Sequence, residues 1–366
     1  YSVKLTESPL AVTARTSNEF WENKSMVIVH HDGDGKTADI LGQVFKSQIS
    51  KVISVKSCDL HMLHSLENTC LLVVIPDLAI AENNTEKVVS LLADVAGNMS
   101  EVSMVGFLQQ HDGYFFRNNL MPAATKAAYS AVGFAASLHH ERTDAKVRVI
   151  EVNRKIPGDL IPDLFMREFA TGESFMAAAF DEKQVRRRMQ YEPAVTGKLL
   201  KTEPGFVDET DVVVATGGAK GITAECVFSL AQKYKCKIAL IGSSPENDEV
   251  RNTLSRYTAS GLTARYFACD IGNRLQVKET IAGVRKSLGP VTAVIHGAGR
   301  NIPRRAEKVS AVEAIDEIAP KLAGAINILN ELKDNQLKYV VALTSIIGVT
   351  GMPGNSWYAF SNETLD

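Results

Sequence analysis

The chain is poor in the features that mark secreted, membrane-spanning or nucleic-acid-binding proteins. Its five cysteines lie scattered at 58, 70, 226, 236 and 269 without C-x-x-C spacing. That distribution argues for buried apolar thiols in a reducing cytoplasm rather than for disulfides or metal ligands. No apolar run is long enough to cross a bilayer, and the N-terminus carries no charged-then-apolar leader. A net charge of -2 over 366 residues provides no general field for nucleic acid or anionic lipid. The opening, Tyr-Ser-Val-Lys-Leu-Thr, reads as the middle of something and predicts a domain drawn from a longer protein.

What is present is a repeated alternation of short apolar strands with helices, and the length suffices for two domains of ordinary size. After an irregular opening, strands are expected at 25–31, 51–55, 70–75, 102–108, 147–152 and 174–180. Helices are expected at 37–49, 85–96 and 123–141, with another from Gly158. This is the rhythm of a parallel, doubly wound α/β sheet. The turn after the first of these strands, Asp32-Gly33-Asp34-Gly35, would set two carboxylates against a pyrophosphate, so the first half has the shape of a nucleotide fold without its binding chemistry. Arg186-Arg187-Arg188 has no interleaved aromatics and reads as a solvated element end rather than a phosphate site. The stretch 191–208, with its prolines and glycines, reads as a connector. Two Rossmann-like domains are therefore expected, at 1–208 and 209–366.

The second half opens on Asp211-Val-Val-Val-Ala-Thr216-Gly217-Gly218-Ala219-Lys220-Gly221-Ile222-Thr223. This is a buried strand, a glycine turn and a helix start, where backbone N–H groups and the helix dipole meet a pyrophosphate. Strands follow at 237–241, 263–268, 291–296 and 339–344. Four further features fall in order along them. They are Cys269-Asp270-Ile271 after the third strand, His296-Gly297-Ala298-Gly299 at the fourth, Ser345 after the fifth, and Tyr358 thirteen residues later.

At this point the sequence resembles the short-chain dehydrogenase/reductase family. Lys321 in Pro320-Lys321-Leu322-Ala323-Gly324-Ala325 and Asn362 in Tyr358-Ala359-Phe360-Ser361-Asn362 make it more similar to the ketoreductase domains of type I polyketide and fatty-acid synthases. The Ala-Lys-Gly-Ile-Thr turn and His296-Gly-Ala-Gly-Arg300-Asn301 resemble iterative and polyunsaturated-fatty-acid synthases. The resemblance covers essentially the whole chain. It implies a degenerate, structural first half before a catalytic second one, and a β-ketoacyl thioester substrate carried by the phosphopantetheine of an acyl carrier protein, among neighbouring synthase domains. It also implies that the tyrosine helix continues past the asparagine and that two more strands complete the sheet. The second half therefore reads as truncated, and residues 1–366 alone are expected to bind NADPH poorly.

The physical reading agrees on the site. Reduction of a carbonyl needs a proton at oxygen, and Tyr358 suits the donor if a neighbouring cation, Lys321, stabilises its phenolate. Ser345 would donate to the carbonyl oxygen, and Asn362 would hold the lysine or a relay water. The expected cofactor contacts are Thr216, Gly217, Gly218, Lys220, Gly221 and Ile222 of the turn, then Ser243, Ser244, Asp270 and Ile271, then His296, Gly297, Ala298 and Gly299. No metal is expected. Gly242-Ser243-Ser244 lacks the carboxylate that would favour NAD, and with Lys220 it favours NADPH. Several usual markers are missing. The strand-end arginine is absent, Thr223 replaces the turn's last glycine, Asn301-Ile302-Pro303 replaces Leu-Asp-Asp, and Thr350 stands eight residues before the tyrosine where tryptophan is read in relatives. The handedness of the product is therefore not legible. Arg300, Arg304 and Arg305 read as a charged loop before they read as a carrier-protein contact. Two other functions stay open: a catalytically inactive spacer domain and a reductase of a free small ketone.

Overall fold

A computed structural model of the chain describes residues 2–9, 14–32, 35–49, 51–63, 68–76, 85–99, 101–115, 129–192 and 207–366. In chain order the first elements are β1 (Ser2–Glu7), α1 (Ala14–Trp21), β2 (Ser25–His30), α2 (Gly35–Phe45), β3 (Lys51–Lys56), β4 (Thr69–Val74), α3 (Thr85–Gly97) and β5 (Met104–His111). They continue through α4 (Val132–Glu141), β6 (Lys146–Asn153), α5 (Ile161–Phe169), β7 (Phe175–Phe180) and β8 (Arg186–Glu192). All eight strands join one sheet in the order β1-β8-β7-β6-β5-β4-β2-β3. Six run parallel, from β3 to β7, and β8 and β1 close one edge antiparallel. β4 is buried at every residue, in keeping with the apolar run from Cys70 to Val74.

Three expectations change here. The opening is not irregular, because β1 pairs with β8 over Ser2↔Glu192 to Glu7↔Arg187. The arginine run is strand β8, and Arg186 is buried, its guanidinium paired with the fully buried Glu168 and bonded to Ser8 at 2.9 Å. A buried carboxylate needs such a fork, which explains why a cation sits inside rather than in water. α4 begins at Val132, and the stretch expected to precede it at 123–128 lies outside the described residues, as do Gly33 and Asp34 of the first turn and most of the connector.

The second sheet is built from β9 (Val212–Thr216), α6 (Gly221–Tyr234), β10 (Lys237–Gly242), α7 (Asp248–Ala259), β11 (Ala264–Ala268), α8 (Arg274–Leu288) and β12 (Val291–His296). α9 (Ala311–Ile318), α10 (Leu322–Glu331), β13 (Tyr339–Ala342), α11 (Ile347–Thr350) and α12 (Ser356–Leu365) follow. The order β11-β10-β9-β12-β13 is wholly parallel, the Rossmann order with its switch point between β9 and β12. Alternate residues feed opposite cores, Val212, Val214, Ala239 and Ile241 on one face and Val213, Ala215, Ile238 and Leu240 on the other.

Packing divides the chain differently from sequence order. One compact unit comprises Tyr1–Ala194, Ile302–Ile315 and Ile346–Thr364, and the other comprises Val195–Asn301, Asp316–Ser345 and Leu365–Asp366. The helix α12 thus groups with the first sheet. Among the described residues no helix is long and apolar enough to cross a membrane, and no cluster of three His, Cys, Asp or Glu is placed to hold a metal.

Candidate active site

At the switch point β9 turns into α6 through Gly217, whose φ of +67° lies in the left-handed region. A Cβ there would come within 2.9 Å of the Ala298 backbone nitrogen, so only glycine lets the two strand ends approach. Lys220 precedes α6 in an extended conformation with no side-chain cap, which leaves the first-turn N–H groups open to an anion. Beside this turn lies a cleft of about 250 Å³. Of the expected cofactor contacts, Gly217, Lys220, Ser243, Ser244, Asp270, Ile271, Ala298 and Gly299 line it. Tyr266, Asn247 and Glu249 line it too and were not legible in advance. Tyr266 bonds the Ser244 carbonyl at 2.6 Å, and Glu249 is carried in by the first turn of α7, seven residues beyond the strand end.

The remaining expected contacts do not line the cleft. Thr216 and His296 are both buried. His296 Nε2 lies 2.9 Å from the Lys321 carbonyl and Nδ1 lies 2.7 Å from Thr216 Oγ1. A carbonyl only accepts, so Nε2 carries the proton and Thr216 donates to Nδ1. Burial pushes the His296 pKa down to about 4, so the ring is neutral at pH 7 and works as a strut between β9, β12 and the start of α10. Gly297 packs against Thr223, Gly218 against Ala215, and Gly221 and Ile222 face solvent.

Lys321 is 4% exposed, and its Nζ donates to the Leu343 carbonyl at 3.0 Å. Burial pulls its pKa down to about 8. Its Cε would lie 3.0 Å from a Cβ at position 299, so Gly299 clears the path of the side chain beside the cleft. Ser345 is half-buried three residues beyond β13, in the same compact unit. Tyr358 and Asn362 lie on α12, which belongs to the other unit. They are four residues apart and share one face, and Asn362 Nδ2 donates to the Tyr358 carbonyl at 2.7 Å. Asn362 is buried, and its Oδ1 has no hydrogen-bond partner among the described residues.

A family model described as "KR domain" matches residues 212–366. The match spans the second sheet, from the start of β9 through α12. Among curated relatives, a polyunsaturated fatty acid synthase polypeptide from a Thraustochytrium species is 26% identical over 47% of this chain and 8% of its own length. The highly reducing polyketide synthase Preu5 of Preussia isomera is 31% identical over 40% of this chain and 6% of its own. The chain therefore spans less than a tenth of the length of these relatives. Among solved structures, an A-type ketoreductase from a modular polyketide synthase superposes with a TM-score of 0.75 at 16% identity, over 99% of this chain and 78% of its own. That likeness extends the shared fold to the sheet preceding the matched residues. The loop arginines of the matched stretch are all engaged: Arg304 with Glu313 at 2.6 Å, Arg305 with the Glu141 carbonyl at 3.2 Å, and Arg300 with the Asp316 carbonyl at 3.2 Å.

Proposed function

We propose that the chain is the ketoreductase of a type I synthase, reducing a β-ketoacyl thioester on an acyl carrier protein to the β-hydroxyacyl form with NADPH. The observation that carries this reading is the pairing, in one unit, of an uncapped glycine turn lining a cleft with a buried, carbonyl-bonded Lys321 beside it. The residues present fit a dinucleotide: the first turn of α6 offers N–H groups to a pyrophosphate, and Ser243, Ser244 and Lys220 offer donors to a 2′-phosphate. Bound there, the cofactor would supply hydride to the carbonyl carbon. Ser345 donates to the carbonyl oxygen, Tyr358 delivers the proton that completes the alcohol, and Lys321 favours the phenolate left behind. Asn362, whose Oδ1 has no hydrogen-bond partner among the described residues, would hold the lysine or a relay water that re-protonates the tyrosine. The division into a structural segment, 1–208, and a catalytic one, 209–366, is part of the same proposal, as is a place among neighbouring synthase domains.

The test is NADPH oxidation by the full-length protein with a β-ketoacyl thioester surrogate and, separately, a simple cyclic ketone. Turnover of the thioester is expected to exceed that of the ketone, and no turnover of either would leave the spacer function standing. Ser243→Asp should move preference toward NADH by repelling a 2′-phosphate. Equal wild-type affinity for NADH and NADPH would remove Lys220, Ser243 and Ser244 from the phosphate site.

A further inference from the structure

The helix that carries Tyr358 and Asn362 exchanges carboxylate contacts with α4 of the first sheet's unit at both ends. Ala131, at the N-cap of α4, makes no side-chain bond to the helix, and of the helix N–H groups Ser130 Oγ accepts only that of Val132, at 3.3 Å. A carboxylate from α12 meets the next N–H: Glu363 accepts from the Gly133 backbone N–H at 2.6 Å and from Ser130 Oγ at 2.5 Å. At the opposite end the relation is reversed. Glu141, the last residue of α4, accepts from the Gly354 backbone N–H at 3.0 Å and from Ser356 Oγ at 3.1 Å, at the entry to α12. Its second oxygen accepts from the Ala306 backbone N–H at 2.7 Å. Each of the two helices therefore places a glutamate at the N-terminal end of the other, where the open N–H groups and the dipole favour negative charge.

Between these two points the helices meet closely. A Cβ at Gly133 would lie 2.9 Å from the Ala359 carbonyl oxygen of α12, and 2.6 Å from that of Gly348 on the neighbouring α11. Trp357 packs on Phe134 with ring centroids 4.9 Å apart, and Phe360 stacks on Tyr129 at 6.2 Å. Ser130 is within 3.4 Å of Gln109 Nε2, which donates to the buried Glu151 at 2.9 Å, so the grip on Glu363 is anchored in β5 and β6. Trp357, Phe360 and Glu363 thus face α4, and Tyr358 and Asn362 occupy the opposite face of α12. Each residue step turns a helix by about 100°, so a modest rotation of α12 about its axis re-aims both side chains together.

We infer that Glu141 and Glu363 are positioning residues for Tyr358, fixing the rotation and the end-to-end placement of α12. The inference rests on the reading of Tyr358 as proton donor. In the full-length protein, Glu363→Ala and Glu141→Ala should each lower kcat for thioester reduction on the order of 10- to 100-fold, the scale of misplacing a reacting group by about an ångström. The Kd for NADPH, read by cofactor fluorescence, should stay within roughly twofold, since neither residue lines the cofactor cleft. Glu363→Gln, which keeps one acceptor oxygen, should give a kcat between wild type and Glu363→Ala. In a Tyr358→Phe background Glu363→Ala should leave the residual rate unchanged, because there is no hydroxyl left to aim. Wild-type kcat in both alanine variants would overturn the inference, as would equal losses of kcat and NADPH affinity that persist in the Tyr358→Phe background. If an alanine variant yields no folded protein, Glu363→Gln and Glu141→Gln decide: lowered kcat at constant Kd supports the inference and wild-type kcat refutes it. Full turnover by Tyr358→Phe would remove the premise and the inference with it. An inactive Tyr358→Phe beside fully active glutamate variants would remove the inference alone.

Discussion

β2 runs into α2 through Asp32 and Gly35, and β9 runs into α6 through Gly217 and Gly221. Both are strand–turn–helix entries at the first strand of a doubly wound sheet, yet the sheets differ in order. The first places β2 between β3 and β4 and continues β5-β6-β7, the flavodoxin-type arrangement, and the second is Rossmann-ordered. The turns differ more. Asp32 is exposed and paired with Lys56 at 2.9 Å, whereas the first turn of α6 carries no acidic residue. Architecture alone does not make a nucleotide site. On the proposed function, the sign of charge at the turn and the closeness of backbone approach do.

Two lysines sharpen the same point. Lys146 in the first sheet and Lys321 in the second both have pKa values pulled down to about 8 by burial, and both donate to backbone carbonyls. Lys146 is stacked over Phe20 and serves packing, tying β6 to the end of α5. Lys321 stands beside Gly299 at the wall of a cleft. A depressed pKa marks burial, and only its neighbours decide whether burial is used.

The largest effect should come from the Tyr358 hydroxyl. Tyr358→Phe is expected to cut turnover by ~10²–10⁴ with NADPH affinity and melting temperature nearly unchanged. Turnover near the wild-type rate would take the proton-donor role away from Tyr358.

Next comes the comparison of turns. Gly217→Ala should weaken NADPH binding by about tenfold or more, because a Cβ at φ +67° and 2.9 Å from the Ala298 nitrogen must displace the cradle. Gly35→Ala, whose Cβ would make only an ordinary 3.7 Å contact with His30, should leave NADPH binding as it is. Calorimetric titration of both variants makes the check, and equal losses would erase the distinction between the turns.

The smallest effects concern stability. A lysine whose folded pKa is lowered from 10.5 to about 8 costs the fold fully below pH 8, and the cost is relieved as pH rises toward 10.5. Lys321→Met should therefore raise stability at pH 7 by up to about 3 kcal/mol, and Lys146→Met, more solvated, by about 1 kcal/mol. Both gains should shrink between pH 8 and 10.5 in denaturant melts. Turnover should be lost only in Lys321→Met. A gain that grows with pH would contradict the burial origin of these shifts.

Much of the second sheet was legible beforehand. The triple valine of β9, the glycine turn and the strand ends at Ser243, Asp270 and Ala298 lie where period-two burial and turn chemistry put them. His296 was less legible: its order along the chain marked the cleft, but its two bonds, to Thr216 and to the Lys321 carbonyl, come from partners 80 and 25 residues away. Glu249 was missed because nothing local says which turn of α7 faces the cleft.

The sequence by itself determined the alternation of strand and helix, the switch-point turn and many of the residues that line the cleft, because these are written in short periods and in glycine's freedom at single positions. Only the tertiary structure decided that the opening residues close the first sheet against β8, that Arg186 goes inward to Glu168, and that α12 groups with the first sheet through Glu141 and Glu363. Each of these is a match between groups more than a dozen residues apart, and no local pattern names the partner. A buried carboxylate or an uncapped helix end states a need. The fold alone determines what meets it.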